Sequence, residues 1–160
     1  KMIETTPILE KKNTVTIDGE DFEIWYDSDF MNSETTLLFL KTMVEITEKG
    51  WCPSSLSWCL DIDKCKVFYC KNSNNEVVSG IVCFYSAKNR TGWILMTFTD
   101  PKHRQKGFNT ILFNYVESYF KSKGAKRISA SVNKNNSPRL IASLKNNRSI
   151  EYVILNKELV

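Results

Sequence analysis

The sequence predicts a mixed α/β (α+β) domain with a mostly antiparallel central sheet flanked by helices. Three observations carry that expectation. Alternating apolar and polar runs are joined by short polar turns, helical periodicity lies on both sides of them, and one apolar strand enters a basic glycine turn that opens directly into a helix.

Residues 14–26 form two short alternating runs around Asp18-Gly19, a strong hairpin signal. Asn32-Ser33-Glu34 then reads as a helix start, with Leu37, Leu40, Val44 and Thr47 beside Phe39, Met43 and Ile46 at helical spacing until Gly50. A shorter helix is expected after Pro53, capped by Ser54 or Ser55, with Leu56, Cys59, Leu60 and Ile62 inward. Strands at 65–70, 77–86 and 92–99 follow as an antiparallel meander. The helix after the glycine turn, about 108–121, carries Ile111, Leu112, Tyr115, Val116, Tyr119 and Phe120 on one face and closes at Gly124. Its aromatic residues recur at core spacing. A strand at 126–132, a helix capped by Asn136 or Ser137 with Pro138 at its first position, and a strand at 150–155 complete the order. Without repeats, linkers or low-complexity stretches, residues 1–160 read as a single domain with an N-terminal hairpin.

With 42% hydrophobic and 25% charged residues over 160 positions, the chain has the composition of a globule able to bury a core. No run approaches the roughly 18 apolar residues of a membrane span, and no charged-then-apolar leader opens the sequence, so the expectation is a cytoplasmic protein off the membrane. Five cysteines, Cys52, Cys59, Cys65, Cys70 and Cys83, form no C-x-x-C pair, and the chain has one histidine, so neither a disulfide framework nor a metal site is expected. Charge is divided sharply. Residues 102–148 hold 11 basic residues against Glu117, a balance of +10, whereas residues 1–63 hold 5 against 13 acidic ones, a balance of −8. One half favours anions and the other cations, unless both are only solvated faces.

The turn Arg104-Gln105-Lys106-Gly107-Phe108-Asn109 offers successive N–H groups, two cationic side chains and a residue free to adopt positive φ, at the positive end of the following helix. This is an anion cradle suited to phosphate or pyrophosphate. The spacing disfavours a P-loop and a dinucleotide fingerprint. A strand-to-helix turn with no ligand is the plainer alternative.

Pro101-x-x-Arg104-x-x-Gly107-x-Asn109 resembles the pyrophosphate loop of the GCN5-related N-acetyltransferase (GNAT) family, P-x-x-[QR]-x-x-G-x-[GA], with Asn109 where Gly or Ala is usual. Asn tolerates the left-handed region better than most residues. The order of elements over about residues 64–155 is similar to that family, as is the segment from Gly124 to Asn136 leading into a helix. The resemblance implies a sheet splayed between the fourth and fifth core strands, with the pantetheine arm of acetyl-CoA or another acyl-CoA in the gap. Backbone at Phe98 and Thr99 would bind that arm. The diphosphate would lie on Arg104, Gln105, Lys106, Gly107, Phe108, Asn109 and Thr110, with Lys102 and Lys106 left for the 3′-phosphate or solvent. Asn133 and Asn136 either contact cofactor or acceptor, or serve as turn and cap residues.

The implied reaction is direct attack of an amine on the thioester, an acyl-CoA-dependent N-acyl transfer. Here the chain departs from the family. Ser143 stands near the place of the usual Tyr general acid and is a weak candidate, and residues 93–98 lack the Glu often used as base. His103 adjoins the loop among cations, a poor setting for a base. The acidic hairpin is expected beside the acceptor and favours a cationic amine such as a polyamine, a lysine or an aminoglycoside. The basic 102–148 surface instead suggests nucleic acid, and a Mom-like, base-modifying GNAT enzyme would stack a flipped base on Trp51 or Trp58 unless those rings are core. A non-catalytic binding protein on the same fold is the third reading. Monomer and homodimer both remain open.

Overall fold

A computed structural model describes residues 6–51, 64–133 and 135–145, excluding the side chains of 142, 143 and 145. The short helix expected after Pro53, the strand expected at 150–155, Cys52, Cys59 and Trp58 lie outside the described residues.

Strands β1 (Leu9–Ile17), β2 (Glu20–Asp27), β3 (Lys66–Lys71), β4 (Val77–Ser86), β5 (Thr91–Thr99) and β6 (Arg127–Ala130) form one sheet in the order β1-β2-β3-β4-β5-β6. Every neighbouring pair is antiparallel except β5 with β6. The hairpin turn is where the sequence puts it, with φ of 52° at Asp18 and 81° at Gly19, the left-handed pair that suits a two-residue connection. β1 runs further back than the expected residue 14, to Leu9.

Helices α1 (Thr36–Glu48) and α2 (Phe108–Ser122) pack on opposite faces, and α3 (Ser137–Lys145) follows β6. Strand alternation sorts the core. Phe22, Ile24, Phe68 and Cys70 face α2 with Leu112, Val116 and Phe120, while Val67, Tyr69, Met96 and Phe98 face α1 with Leu38 and Phe39. Gly92 lets α2 close on the sheet, since a Cβ there would stand 2.3 Å from the Phe120 ring.

Three expectations shift. Asn32-Ser33-Glu34 does not start α1: a 3-10 turn, Phe30–Asn32, comes first, capped by Asp29, and α1 begins at Thr36. Of the periodic residues of α1, Phe39, Met43 and Ile46 turn inward with Leu38 and Thr42, but Leu37, Leu40 and Val44 are exposed. The strand expected at 126–132 pairs only over Arg127–Ala130. Cys65, Cys70 and Cys83 are buried free thiols, and burial raises the Cys70 thiol to about 12.

The N-terminal entry of α1 is fixed to the sheet by charge. Lys71 is 8% exposed at its side chain, pairs with Glu34 at 2.9 Å and lies 4.4 Å from the centre of the Trp25 ring. Tyr69 donates its hydroxyl to the same carboxylate at 2.7 Å.

Candidate active site

At the end of β5 the chain turns into the cradle. The Asp100 N–H still donates to Val78 O at 2.9 Å, and the Asp100 carboxylate accepts from the Lys102 N–H, capping a 3-10 turn at Pro101–His103. Gln105 (φ 65°) and Gly107 (φ 86°) then take left-handed conformations, and Gly107 becomes the N-cap residue of α2 without any side-chain cap. A Cβ at Gly107 would meet nothing within 4 Å, so glycine is required there for its backbone conformation and not for space. The first helical bond runs from the Ile111 N–H to Gly107 O at 3.1 Å. The N–H groups of Phe108, Asn109 and Thr110 therefore have no acceptor among the described residues. Three donors and the positive end of a 15-residue helix converge there. Asn109 needs no left-handed tolerance, because it lies inside α2; Gln105 is the non-glycine residue at positive φ.

Below the cradle, Phe108 is buried against Phe22 with ring centres 4.8 Å apart. His103 packs edge-on to both rings at 6.1 Å, with Nδ1 3.4 Å from Asp100. It belongs to the underside of the loop.

Beside the cradle the sheet parts. β5 and β6 pair from Thr91↔Arg127 to Ile94↔Ala130, and from Leu95 to Thr99 β5 has no strand beside it but β4 among the described residues. Since the Asp100 N–H points to β4, alternation directs the Phe98 N–H to β4 also and sends those of Thr97 and Thr99 to the open edge. Phe98 therefore turns its N–H to β4 and away from the gap. Thr97 takes its place beside Thr99.

Arg104 folds across this edge. Its Nε donates to Thr99 O at 3.1 Å, while its two terminal nitrogens fork onto the Glu45 carboxylate, Nη1 to Oε1 at 2.9 Å. That guanidinium, helped by Lys49 at 2.5 Å, holds the Glu45 carboxyl down to about 2. The Arg104 side chain is thus committed to α1, and only its main chain faces the cradle; Gln105, Lys106 and Thr110 are exposed. Just past the end of α1, Gly50 O accepts from Asn133 Nδ2 at 3.4 Å. The end of α1 is consequently tied to both lips of the gap.

The structure brings Thr99 and residues 104–110 together at one end of the sheet. Asn133 and Asn136 take turn and cap roles: Asn133 Oδ1 accepts from the Asn135 N–H at 2.9 Å, and Asn136 Oδ1 accepts from the Arg139 N–H at 3.2 Å. Ser143 lies on α3, and its side chain is outside the described set. The acidic hairpin is not beside the gap. It stands three strands from β5, about 14 Å at ordinary strand spacing, with Glu23 held by Lys11 and Trp25. Glu45 is the carboxylate that reaches the open edge, and sequence reasoning missed it because its partner is 59 residues away. Among the described residues no cluster of His, Cys, Asp or Glu could hold a metal, and no helix is long and apolar enough to cross a membrane.

An uncapped helix start beside a parted parallel pair is the arrangement expected of an acyl-CoA transferase fold. The model of the acetyltransferase (GNAT) family matches residues 22–142, and the chain belongs to that family. No curated protein sequence matches. Among solved structures, a mutant of the BH1408 protein from Bacillus halodurans is 15% identical, with a TM-score of 0.65 over 86% of this chain and 99% of that one. An aminoglycoside acetyltransferase, meta-AAC0020, from an uncultured soil metagenomic sample in complex with sisomicin is 12% identical, with a TM-score of 0.64 over 87% and 95%. Nourseothricin acetyltransferase overlaps about half of each chain, 51% and 48%, at 21% identity and a TM-score of 0.47. The likenesses to the BH1408 mutant and to meta-AAC0020 show the fold.

Proposed function

We propose that this protein is an acyl-CoA-dependent N-acyltransferase, with acetyl-CoA as donor and an amine as acceptor. One observation carries the reading: the acceptor-free N–H groups of Phe108, Asn109 and Thr110 lie beside the unpaired edge of β5. Those groups and the main chain at 104–107 suit a diphosphate, and the open edge at Thr99 suits the amide-bearing arm of the same molecule, which leaves the Thr97 N–H for the reacting end. When bound, the thioester supplies an activated acyl group and a thiolate leaving group.

The chain's own contribution is mostly placement. Holding amine and acyl carbon in line replaces a bimolecular encounter by an internal one. The Thr97 N–H is the donor in this reading for the oxygen that gains charge during attack, the role in which a fixed N–H is most effective. Glu45 lies at the mouth of the gap, but a carboxyl held at about 2 is too weak a base to take a proton from an ammonium group. Its part is charge: with Arg104 it orients α1, the wall against which the acceptor rests. We read an amine as the acceptor class; with the acidic hairpin away from the gap and Glu45 paired with Arg104 and Lys49, a polyamine, a lysine and an aminoglycoside are members of that class to be compared by assay. We also read residues 1–160 as one domain in the cytoplasm, a setting consistent with free Cys65, Cys70 and Cys83.

A flipped nucleobase is less well served. Trp51 is half-buried, with Lys49 Nζ 4.9 Å from its ring centre. Thermal unfolding with acetyl-CoA, CoA or ATP tests the donor site: both CoA species should raise Tm and ATP should raise it less. No response to either CoA species overturns the reading. With donor binding in hand, thiol release on adding a panel of cationic amines tests catalysis, and none with any amine leaves a non-catalytic CoA-binding protein.

A further inference from the structure

The basic half of the chain is not one surface. Lys102, Arg104 and Lys106 surround the start of α2, whereas Lys121, Lys123, Lys126 and Arg127 lie at its other end. With 15 residues at 1.5 Å each, α2 keeps the two groups about 22 Å apart. At the far end three segments converge. The β4–β5 turn brings Lys88 and Arg90, the end of α2 brings Lys121 and Lys123, and the start of β6 brings Lys126 and Arg127.

Their main chains fix them relative to one another. The Lys126 N–H donates to Arg90 O at 2.8 Å, Arg90 Nε donates to Gly124 O at 3.2 Å, and Arg127 Nε donates to Thr91 Oγ1 at 3.0 Å. All six cations are exposed, and the only acid in these segments is Glu117, spent on Lys121 at 2.6 Å. Lys88, Lys123 and Lys126 have no carboxylate partner among the described residues. A shallow hollow of about 180 Å³ lies between Lys121, Lys126 and Arg127, lined also by Phe120, Ile128 and the Glu117 carboxylate that Lys121 neutralises.

We propose that this end of the molecule is a docking surface for the phosphate backbone of a nucleic acid, separate from the acyl-transfer site. Charge density alone would fit any polyanion, but the composition of the surface favours phosphates. A protein partner needs an apolar centre. Among the described residues the exposed large apolar ones are Ile8, Leu9, Met31, Leu37, Leu40, Val44, Ile141 and Leu144, and none belongs to these segments. A contact made mainly by lysines and guanidinium groups is the sequence-independent kind that phosphate rows support. The gap of about 22 Å also means that a strand held here leaves the open edge of β5 unobstructed. Nucleic acid is thereby a tether and not the acceptor, and this inference does not depend on the acyltransferase reading.

Fluorescence anisotropy with the full chain and a labelled 20-base-pair duplex, a matching single strand or a polyglutamate peptide tests it. Four to five phosphate contacts predict a log–log salt slope of about −4, a loss of about 250-fold between 50 and 200 mM salt. Lys88→Glu with Lys123→Glu and Lys126→Glu should abolish duplex binding. The milder set with Gln in place of Glu should flatten the slope by about 3 while leaving Tm and its response to acetyl-CoA intact. Lys102→Glu with Lys106→Glu, and saturating CoA, should change duplex affinity by less than about threefold. Four outcomes would overturn the proposal: no duplex or single-strand binding at 50 mM salt, loss through the loop variants but not the triple, displacement by CoA, or polyglutamate bound as tightly as duplex.

Discussion

Along the cradle and the open half of β5 the molecule offers main-chain groups of nearly consecutive residues. Across the gap, α1 is held by side chains from segments 35, 59 and 83 residues away: Glu34 to Tyr69, Glu45 to Arg104, and Gly50 to Asn133. In the proposed reading the donor side therefore depends on backbone conformation and tolerates changes of side chain, whereas the α1 side depends on particular side chains. A main-chain cradle can persist under extensive sequence change, which suits a common donor. A wall assembled from distant side chains can be remade by few substitutions, which suits varied acceptors.

The contrast is tested most severely by removing one main-chain donor. Thr97→Pro deletes an N–H that bonds nothing on β4, so the strand should survive, but turnover should fall about 100- to 1,000-fold in a thiol-release assay if that donor faces the developing oxyanion. Unchanged turnover with Thr97→Pro, together with a large loss from Thr99→Pro, would move the donor two residues along. On the acceptor side, Glu34→Ala leaves the Lys71 ammonium buried without its carboxylate and should cost about 1–3 kcal/mol in urea denaturation. Gly107→Val forces a β-branched residue to φ of 86°, at a cost of roughly 1–2 kcal/mol. Acetyl-CoA affinity by titration calorimetry should drop about 5- to 30-fold, whereas Lys106→Ala should change it far less.

The smallest effect is expected at Glu45→Gln. A partly exposed ion pair contributes up to about 1 kcal/mol, so stability should barely change while KM for the amine rises a few-fold. Its pH dependence has a definite sign. Because Arg104 and Lys49 lower the Glu45 carboxyl from 4.5 to about 2, its contribution is complete above 4.5 and is lost as pH falls toward 2. The difference in Tm between Glu45→Gln and the parent protein should therefore shrink across that interval; a constant difference would mean that the pair is not formed in solution.

What the sequence reveals divides along the same line. The Asp18-Gly19 hairpin, the meander, α2 and the glycine turn are local, set by alternation, turn residues and helix periodicity, and each lies close to where pattern alone places it. The gap was reachable only through resemblance, because the end of β6 at Ala130 leaves no mark in an alternating run that continues to Val132. Thr97 was missed because the direction of an N–H depends on register with β4. Glu45 was missed because nothing local distinguishes it from Glu48. The exposed face of α1 misled for another reason: Leu37, Leu40 and Val44 share a helical face, yet Leu38 and Phe39 are the residues turned to the sheet.

The seam between β5 and β6 spans four residue pairs, against eight between β4 and β5. In native-state hydrogen–deuterium exchange this should appear as two separate tiers. Amides of β6 should open by a sub-global route well below the free energy that protects β3 and β4. Since β6 forms one lip of the gap, a ligand that bridges both lips should slow exchange most strongly there, even at amides it never touches.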